Sequence, residues 1–222
     1  MLADGATATA PYAPHRGTLR RMQRVYIGVG SNLASEAGNP EATLAAAARR
    51  LESLGRVVAK SSLYSTEPVG YAEQPRFLNA VVAMETELDP HALLDGLMRV
   101  EKEFGRDRSA GVRNGPRTLD LDILVFGDQR ISEPRLEIPH PRMSERDFVL
   151  VPLAELASRD QTTGILESVS QLIKAFRKRS PNQSDAVVSI QSDLWHAGPL
   201  GTAVDADASR PGASPDHTDG GR

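Results

Sequence analysis

Hydrophobic positions along this chain change period several times between residues 25 and 126, and each change marks an element. Val25 to Val29 is a short apolar run that stops at Gly30-Ser31-Asn32 and reads as a strand. Asn39-Pro40-Glu41 then offers a cap, a first-turn proline and an early acid. Leu44, Ala47, Ala48, Leu51 and Leu54 follow at helical spacing until Gly55. Arg56 to Tyr64 and Phe77 to Leu88 alternate well enough for a second and a third strand. Asp89-Pro90 opens another helix, whose buried side is expected to hold Leu93, Leu94, Leu97, Met98 and Phe104 and whose stop is Gly105. Thr118 to Phe126 is a fourth strand, and Ile165 to Phe176 has the spacing of one further helix. The order βαββαβ predicts an α+β fold, a ferredoxin-like sheet covered by helices.

This patterning fades at both ends. Residues 1–23, rich in Ala, Thr, Pro and Gly with Arg16, Arg20 and Arg21, lack the continuous apolar segment of a secretory signal and are expected to form a disordered leader. An arginine-rich, acid-poor leader also fits a transit peptide, and a start at Met22 would make it irrelevant. Residues 179–222 turn to Pro, Gly, Ser, Asp and Ala and are expected to be a low-complexity, disordered tail. Trp195, the only tryptophan, sits in a small apolar island of that tail, where local docking is an option, and no role is assigned to it. One folded domain, 24–178, remains.

Composition narrows the class without naming it. With 222 residues, 40% of them hydrophobic, the chain can bury one good core. The absence of cysteine excludes disulfides, thiolate nucleophiles and thiolate metal sites. A net charge of -3 gives no global field for nucleic acid or a membrane surface, and no apolar stretch approaches a membrane span. Composition agrees with a soluble cytoplasmic enzyme, and a monomer is expected.

The chemistry concentrates in Arg113-Asn114-Gly115-Pro116-Arg117-Thr118-Leu119-Asp120-Leu121-Asp122-Ile123-Leu124-Val125-Phe126-Gly127. On a strand, Asp120 and Asp122 share a face roughly 7 Å apart, while Leu119, Leu121, Ile123 and Val125 take the other. Two like charges side by side on a half-buried strand repel each other unless a cation lies between them. Oxygen ligands without Cys or His in the run favour Mg²⁺, which binds through one or two carboxylates and substrate phosphates. Arg113 and Arg117, with Arg106 and Arg108 just upstream, suit those phosphates better than lysines would. Asp-x-Asp alone is common, and an exposed pair of solvated aspartates would explain the tripeptide by itself. Gly28-Val29-Gly30-Ser31-Asn32-Leu33 is not a dinucleotide fingerprint, because Leu33 stands in the third glycine's place, and there is no P-loop motif.

The longer string Gly-Pro-Arg-x-x-Asp-Leu-Asp-Ile-Leu resembles the signature of the 6-hydroxymethyl-7,8-dihydropterin pyrophosphokinases, from about Val25 to Leu156. That resemblance implies transfer of pyrophosphate from ATP to the pterin alcohol, with AMP leaving, in folate synthesis. It assigns Asp120 and Asp122 to two magnesium ions and Arg106 and Arg117 to the transferring phosphates. Glu101, Arg108, Arg113, Ile123, Arg135, His140 and Arg146 are assigned to ATP. Thr66, Glu67, Val69, Phe77, Asn79, Asn114 and Phe148 fall to the pterin, with Phe77 and Phe148 on its two faces. The chain departs from the family where Glu67 replaces a common proline and Asn114 a tryptophan found in some members. Two other readings of paired aspartates on such a sheet are a nucleotidyltransferase and a non-catalytic metal or ligand sensor. Gly30-Ser31 lies far upstream of Asp120 for the first, and AMP release would exclude the second.

Overall fold

The computed structural model describes residues 21–108, 114–157 and 187–197, with helical positions 171, 172, 174, 175 and 178. The leader up to residue 20, Arg113, most of the helix expected over 165–176 and the rest of the tail lie outside the described residues.

Strand β1 (Gln23–Ser31) sits inside an antiparallel sheet, between β4 (Phe77–Thr86) and β5 (Asp120–Phe126). Both β2 (Arg56–Lys60) and β3 (Leu63–Thr66) pair along β4, and β8 (Val187–Ile190) lines the outer side of β3. The order β5-β1-β4-β3-β8 is the arrangement expected for a βαββαβ chain, extended by one strand. A small ribbon, β6 (Ile131–Glu133) with β7 (Leu136–Ile138), stands apart from the sheet.

Helices α1 (Pro40–Leu51) and α2 (Pro90–Glu103) start as their sequences require. Asn39 and Asp89 accept hydrogen bonds from the Ala42 and Ala92 amides at 2.9 and 2.8 Å, and each helix has proline in its first turn. Their apolar stripes bury Val25, Ile27, Val29, Leu44, Leu51, Leu93, Leu97 and Leu121 on one face of the sheet. A second core, with Tyr26, Val81, Leu124, Val125, Leu150 and Leu153, lies under α3 (Asp147–Ala157) on the other face. Among the described residues no helix is long and apolar enough to cross a membrane.

The structure departs from the sequence reading in four places. The expected strand 56–64 is broken at Ser61-Ser62. There the Ser61 hydroxyl takes a hydrogen bond from the Val81 amide and Glu155 of α3 takes the Ser62 amide, so two side chains replace ladder partners. Met98 is 39% exposed, while Val100 and Glu101 are buried with Leu93 and Leu97. The buried stripe is therefore 93, 97, 100, 101, and its last member is charged. In β5, Ile27 faces Ile123 but Tyr26 faces Val125, so Leu124 is a bulge residue that moves Val125 onto the Tyr26 face. The fourth departure concerns the tail: Val187–Ile190 pairs with β3, and Trp195 is 0% exposed within the core under α1. The alternation Val-Val-Ser-Ile followed by a capped turn at Ser192 was the signal, diluted by the polar residues around it.

Gly55 illustrates how tightly the turn from α1 to β2 is packed. A Cβ added there would lie 2.3 Å from the Glu85 carbonyl oxygen and 2.9 Å from Met84 and Thr86 side-chain atoms. Because a backbone atom of the partner strand cannot step aside, Gly55→Ala should cost about 1–3 kcal/mol of overpacking strain. Urea unfolding should show a lower midpoint at an unchanged slope; an unshifted midpoint would mean that the turn yields.

Candidate active site

The floor of the site is a stretch of β1 without side chains. Gly30 stands opposite Asn79 on one side and Asp120 on the other, and Gly28 stands opposite Val81 and Asp122. Directly opposed residues share a face of the sheet, so a polar amide and two carboxylates line one cleft across bare backbone. A Cβ on Gly30 would come within 2.8 Å of Asn79 Oδ1. The Gly-Val-Gly string thus serves the site as floor, a role sequence reasoning missed; two glycines two residues apart on a central strand were its signal.

Along one wall runs the charged cluster. Asp120 is held at both oxygens, Oδ1 accepting from Arg106 and Oδ2 from Arg117, each at 2.7 Å. Arg106 also donates to the Leu119 carbonyl at 2.7 Å, while its own amide donates to the carbonyl of Glu101 at 3.0 Å. Asp122 is less well compensated, with Arg146 at 3.8 Å and His140 at 3.9 Å. Burial and the neighbouring Asp120 push its carboxyl above the usual range. Burial likewise pulls His140 down, against the pull of Asp122, and its Nδ1 accepts from the Arg142 amide at 3.2 Å.

Glu101, 1% exposed, ties α2 to this wall. Its carboxylate takes the Leu121 amide at 2.9 Å and Arg108 at 2.6 Å, and burial raises its pKa despite those bonds. In this state Arg108 is a partner of Glu101 at the rim beside Arg106.

The opposite wall is aromatic and amide. Phe77, Asn79, Thr66, Glu67, Val69, Asn114 and Phe148 line the same cleft as Asp120 and Asp122. A guanidinium covers each ring: Arg117 lies 5.4 Å from the Phe77 centroid and Arg146 lies 5.6 Å from that of Phe148. Asn79 donates to the Thr66 hydroxyl at 2.7 Å, which leaves its carbonyl oxygen as the acceptor. Glu67 pairs with Arg76 at the mouth. Buried Asn32 couples two loops, accepting from the Arg117 amide at 2.7 Å and donating to Gln74 and to the Pro75 carbonyl at 3.0 Å. Gln74 in turn donates to the Asn114 carbonyl, and Asn114 takes the left-handed conformation at φ 60°, which asparagine tolerates.

Not every expected residue reaches this cleft. Ile123 is 4% exposed in the core beneath α1 and α2. Arg135, in the turn of the β6–β7 ribbon, pairs with Asp95 of α2 at 3.0 Å and is exposed. Arg113 is outside the described residues. Arg142, which sequence reasoning left unassigned, does line the cleft.

The donors fit a hard cation poorly supplied by protein. Among the described residues no group of three or more His, Cys, Asp or Glu side chains converges, so a cation at Asp120 and Asp122 would complete its shell with water or phosphate oxygens. The raised pKa of Asp122 is what such a cation would relieve.

Comparison with known proteins converges on one family. The model of 7,8-dihydro-6-hydroxymethylpterin-pyrophosphokinase (HPPK) matches residues 26–158. A 2-amino-4-hydroxy-6-hydroxymethyldihydropteridine pyrophosphokinase from Pseudomonas aeruginosa is 52% identical over 136 residues, covering 61% of this chain and 82% of that protein. Its namesake from Haemophilus influenzae is 44% identical over 157 residues, covering 70% and 94%. Among solved structures, a Plasmodium falciparum HPPK-DHPS triple mutant superposes with a TM-score of 0.52 at 16% identity, over 78% of this chain and 47% of that longer one, a likeness of fold alone. Neither the nucleotidyltransferase nor the sensor reading survives these matches: with the family model spanning more than half its length, the chain belongs to the HPPK family.

Proposed function

We propose that this chain transfers pyrophosphate from MgATP to the hydroxymethyl group of 6-hydroxymethyl-7,8-dihydropterin, releasing AMP, and that the cleft over Gly28 and Gly30 is where it does so. The observation that carries the reading is the placement of Asp120, Asp122, Arg117, Arg142 and Arg146 in a cleft with Phe77, Asn79 and Phe148 on its other wall, and Arg106 bonded to Asp120. A phosphate chain fits the first wall and a flat heterocycle with amide-like edges the second. We include in this reading a monomeric working unit and a cytoplasmic site of action.

Two Mg²⁺ ions held by Asp120 and Asp122 would supply charge neutralisation at the phosphate oxygens around the transferring phosphorus. The pterin hydroxymethyl oxygen attacks the β-phosphorus in line, its proton passing to water, and the bond from that phosphorus to the oxygen bridging to the α-phosphate breaks, so that AMP leaves with that oxygen. Arg106 and Arg117 pass from Asp120 to the phosphates, where they meet the charge that develops in the transition state. As Arg117 and Arg146 leave the rings of Phe77 and Phe148, both aromatic faces open to the pterin. Asn79 presents its carbonyl oxygen to a pterin N–H, while Glu101, Arg108, Arg113, His140 and Arg146 orient the nucleotide. Thr66, Glu67, Val69 and Asn114 shape the pterin mouth; Ile123 and Arg135 lie away from the cleft and are given no contact in this reading. No side chain is invoked as general base. The direct test is AMP release from MgATP with and without the pterin alcohol: equal release in both arms would sink the reading.

The metal pair generates the first expected outcome. Asp120→Ala and Asp122→Asn should each abolish turnover and weaken binding of a non-hydrolysable MgATP analogue in calorimetry. Because the folded protein disfavours ionised Asp122, stability falls as the pH rises from the ordinary carboxylate range, and the full penalty is in place above the elevated folded pKa. Asp122→Asn should therefore raise the Tm of the metal-free protein at neutral pH, and an unchanged or lower Tm would contradict the uncompensated charge.

Arg106 and Arg117 should separate in kinetics. Arg106→Ala should lower kcat by roughly 10²-fold, the loss of one preorganised donor, with little change in MgATP affinity. Arg117→Ala should lower both, since Arg117 is also fixed through its backbone to Asn32. Proportional losses of rate and nucleotide binding in Arg106→Ala would make it a ground-state anchor.

A further inference from the structure

The segment Val187–Trp195 lies beyond residues 26–158, the stretch that the family model matches, yet it grips one wall of the cleft. Strand β3 is only four residues long, and Thr66 at its end lines the cleft. On one side β3 meets β4, with Tyr64 opposite Asn79 and Thr66 opposite Phe77. On the other it meets β8, with Thr66 opposite Val187 and Leu63 opposite Ile190. Without β8, this four-residue strand would be an edge held from one side only.

Three further bonds fasten the segment. Trp195 Nε1 donates to the Ser61 carbonyl at 2.7 Å, at the break that lets β3 turn away from β2. Lys60 donates to the Trp195 carbonyl and stands 5.0 Å over its indole ring. Ser192 bonds to Glu41 of α1 and also caps the Trp195 turn, accepting its amide at 2.8 Å. The Ser61 hydroxyl meanwhile holds the Val81 amide of β4, two residues from Asn79. The indole therefore sets where β3 begins, and β8 sets where it runs.

We propose that Val187–Trp195 is a positioning element for the pterin side of the site: it fixes β3 against β4, so that the Thr66 hydroxyl holds the Asn79 amide with its carbonyl oxygen toward the ligand. This rests on the pterin alcohol being the substrate, as argued above. Asp120 and Asp122 on β5, with Arg106 bonded to Asp120, lie beyond β4 and β1 from this segment, so nucleotide binding should not feel its loss.

The test uses full-length Trp195→Ala, Trp195→Phe and Ser192→Ala, with three readouts: the KM for the pterin alcohol in AMP release, its equilibrium affinity in the presence of a non-hydrolysable MgATP analogue, and the affinity of that analogue alone. Trp195→Ala should weaken pterin by about tenfold and leave the nucleotide within twofold. Trp195→Phe, which refills the space without the N–H, should recover part of that loss, and Ser192→Ala should show a smaller loss of the same kind. Should Trp195→Ala fail to fold, the other two variants decide by the same readouts. Wild-type pterin affinity in folded variants, or a parallel loss of pterin and nucleotide, would make the segment mere support for the fold and overturn the proposal. A wild-type chain that neither binds the pterin alcohol nor releases AMP with it would instead overturn the functional reading, and the proposal with it.

Discussion

Repulsion between Asp120 and Asp122 is the constraint around which the rest is arranged. Two unit charges about 7 Å apart in a medium of effective dielectric about 20 repel by about 2 kcal/mol, a large share of a domain's net stability of about 5–15 kcal/mol. The chain distributes the answer over three elements. Arg106 comes from the end of α2, Arg117 from the entry to β5, and Arg146 with His140 from the approach to α3. The compensation is lopsided, complete at Asp120 and partial at Asp122. A site balanced in this way holds its arginines close to where an anionic substrate needs them, without locking the second carboxylate. Buried Glu101 extends the same logic, since its bond to the Leu121 amide makes the end of α2 and β5 one unit.

How much of this was legible in the sequence depended on whether the signal was local. Caps at Asn39 and Asp89, the paired aspartates and the arginines beside them are all short-range patterns, and they stand where the sequence put them. The bulge at Leu124 was not legible, because it is set by the register against β1, and a strict period of two assigns Val125 to the wrong face. The break at Ser61-Ser62 depends on Val81 and Glu155, residues far along the chain. Arg135 sits in a ribbon turn whose partner on α2 no local pattern announces. Val187–Trp195 escaped for a related reason: a four-residue strand and one helical turn gain their stability from the sheet edge and core they join, and composition averaged over the tail conceals them.

The sheet separates two tasks by face. Helices α1 and α2 seal one side with an apolar core, and α3 covers part of the other, leaving the ends of β1, β4 and β5 open beside it. The candidate site occupies that uncovered strip, where Gly28 and Gly30 remove the side chains that would otherwise fill it.

The place of β1 in the middle of the sheet also governs the order in which the molecule can assemble. The partners of β1 on β5 are synthesised about 90 to 100 residues after it, and those of β3 on β8 come later still. Loop-closure entropy has to be met before such distant pairings reward it, so a fold of this connectivity gathers slowly. A nascent chain emerging from the ribosome can pair β1 with β4 while neither carboxylate has appeared. Among the described strands the last to arrive is β8, which closes the outer side of β3.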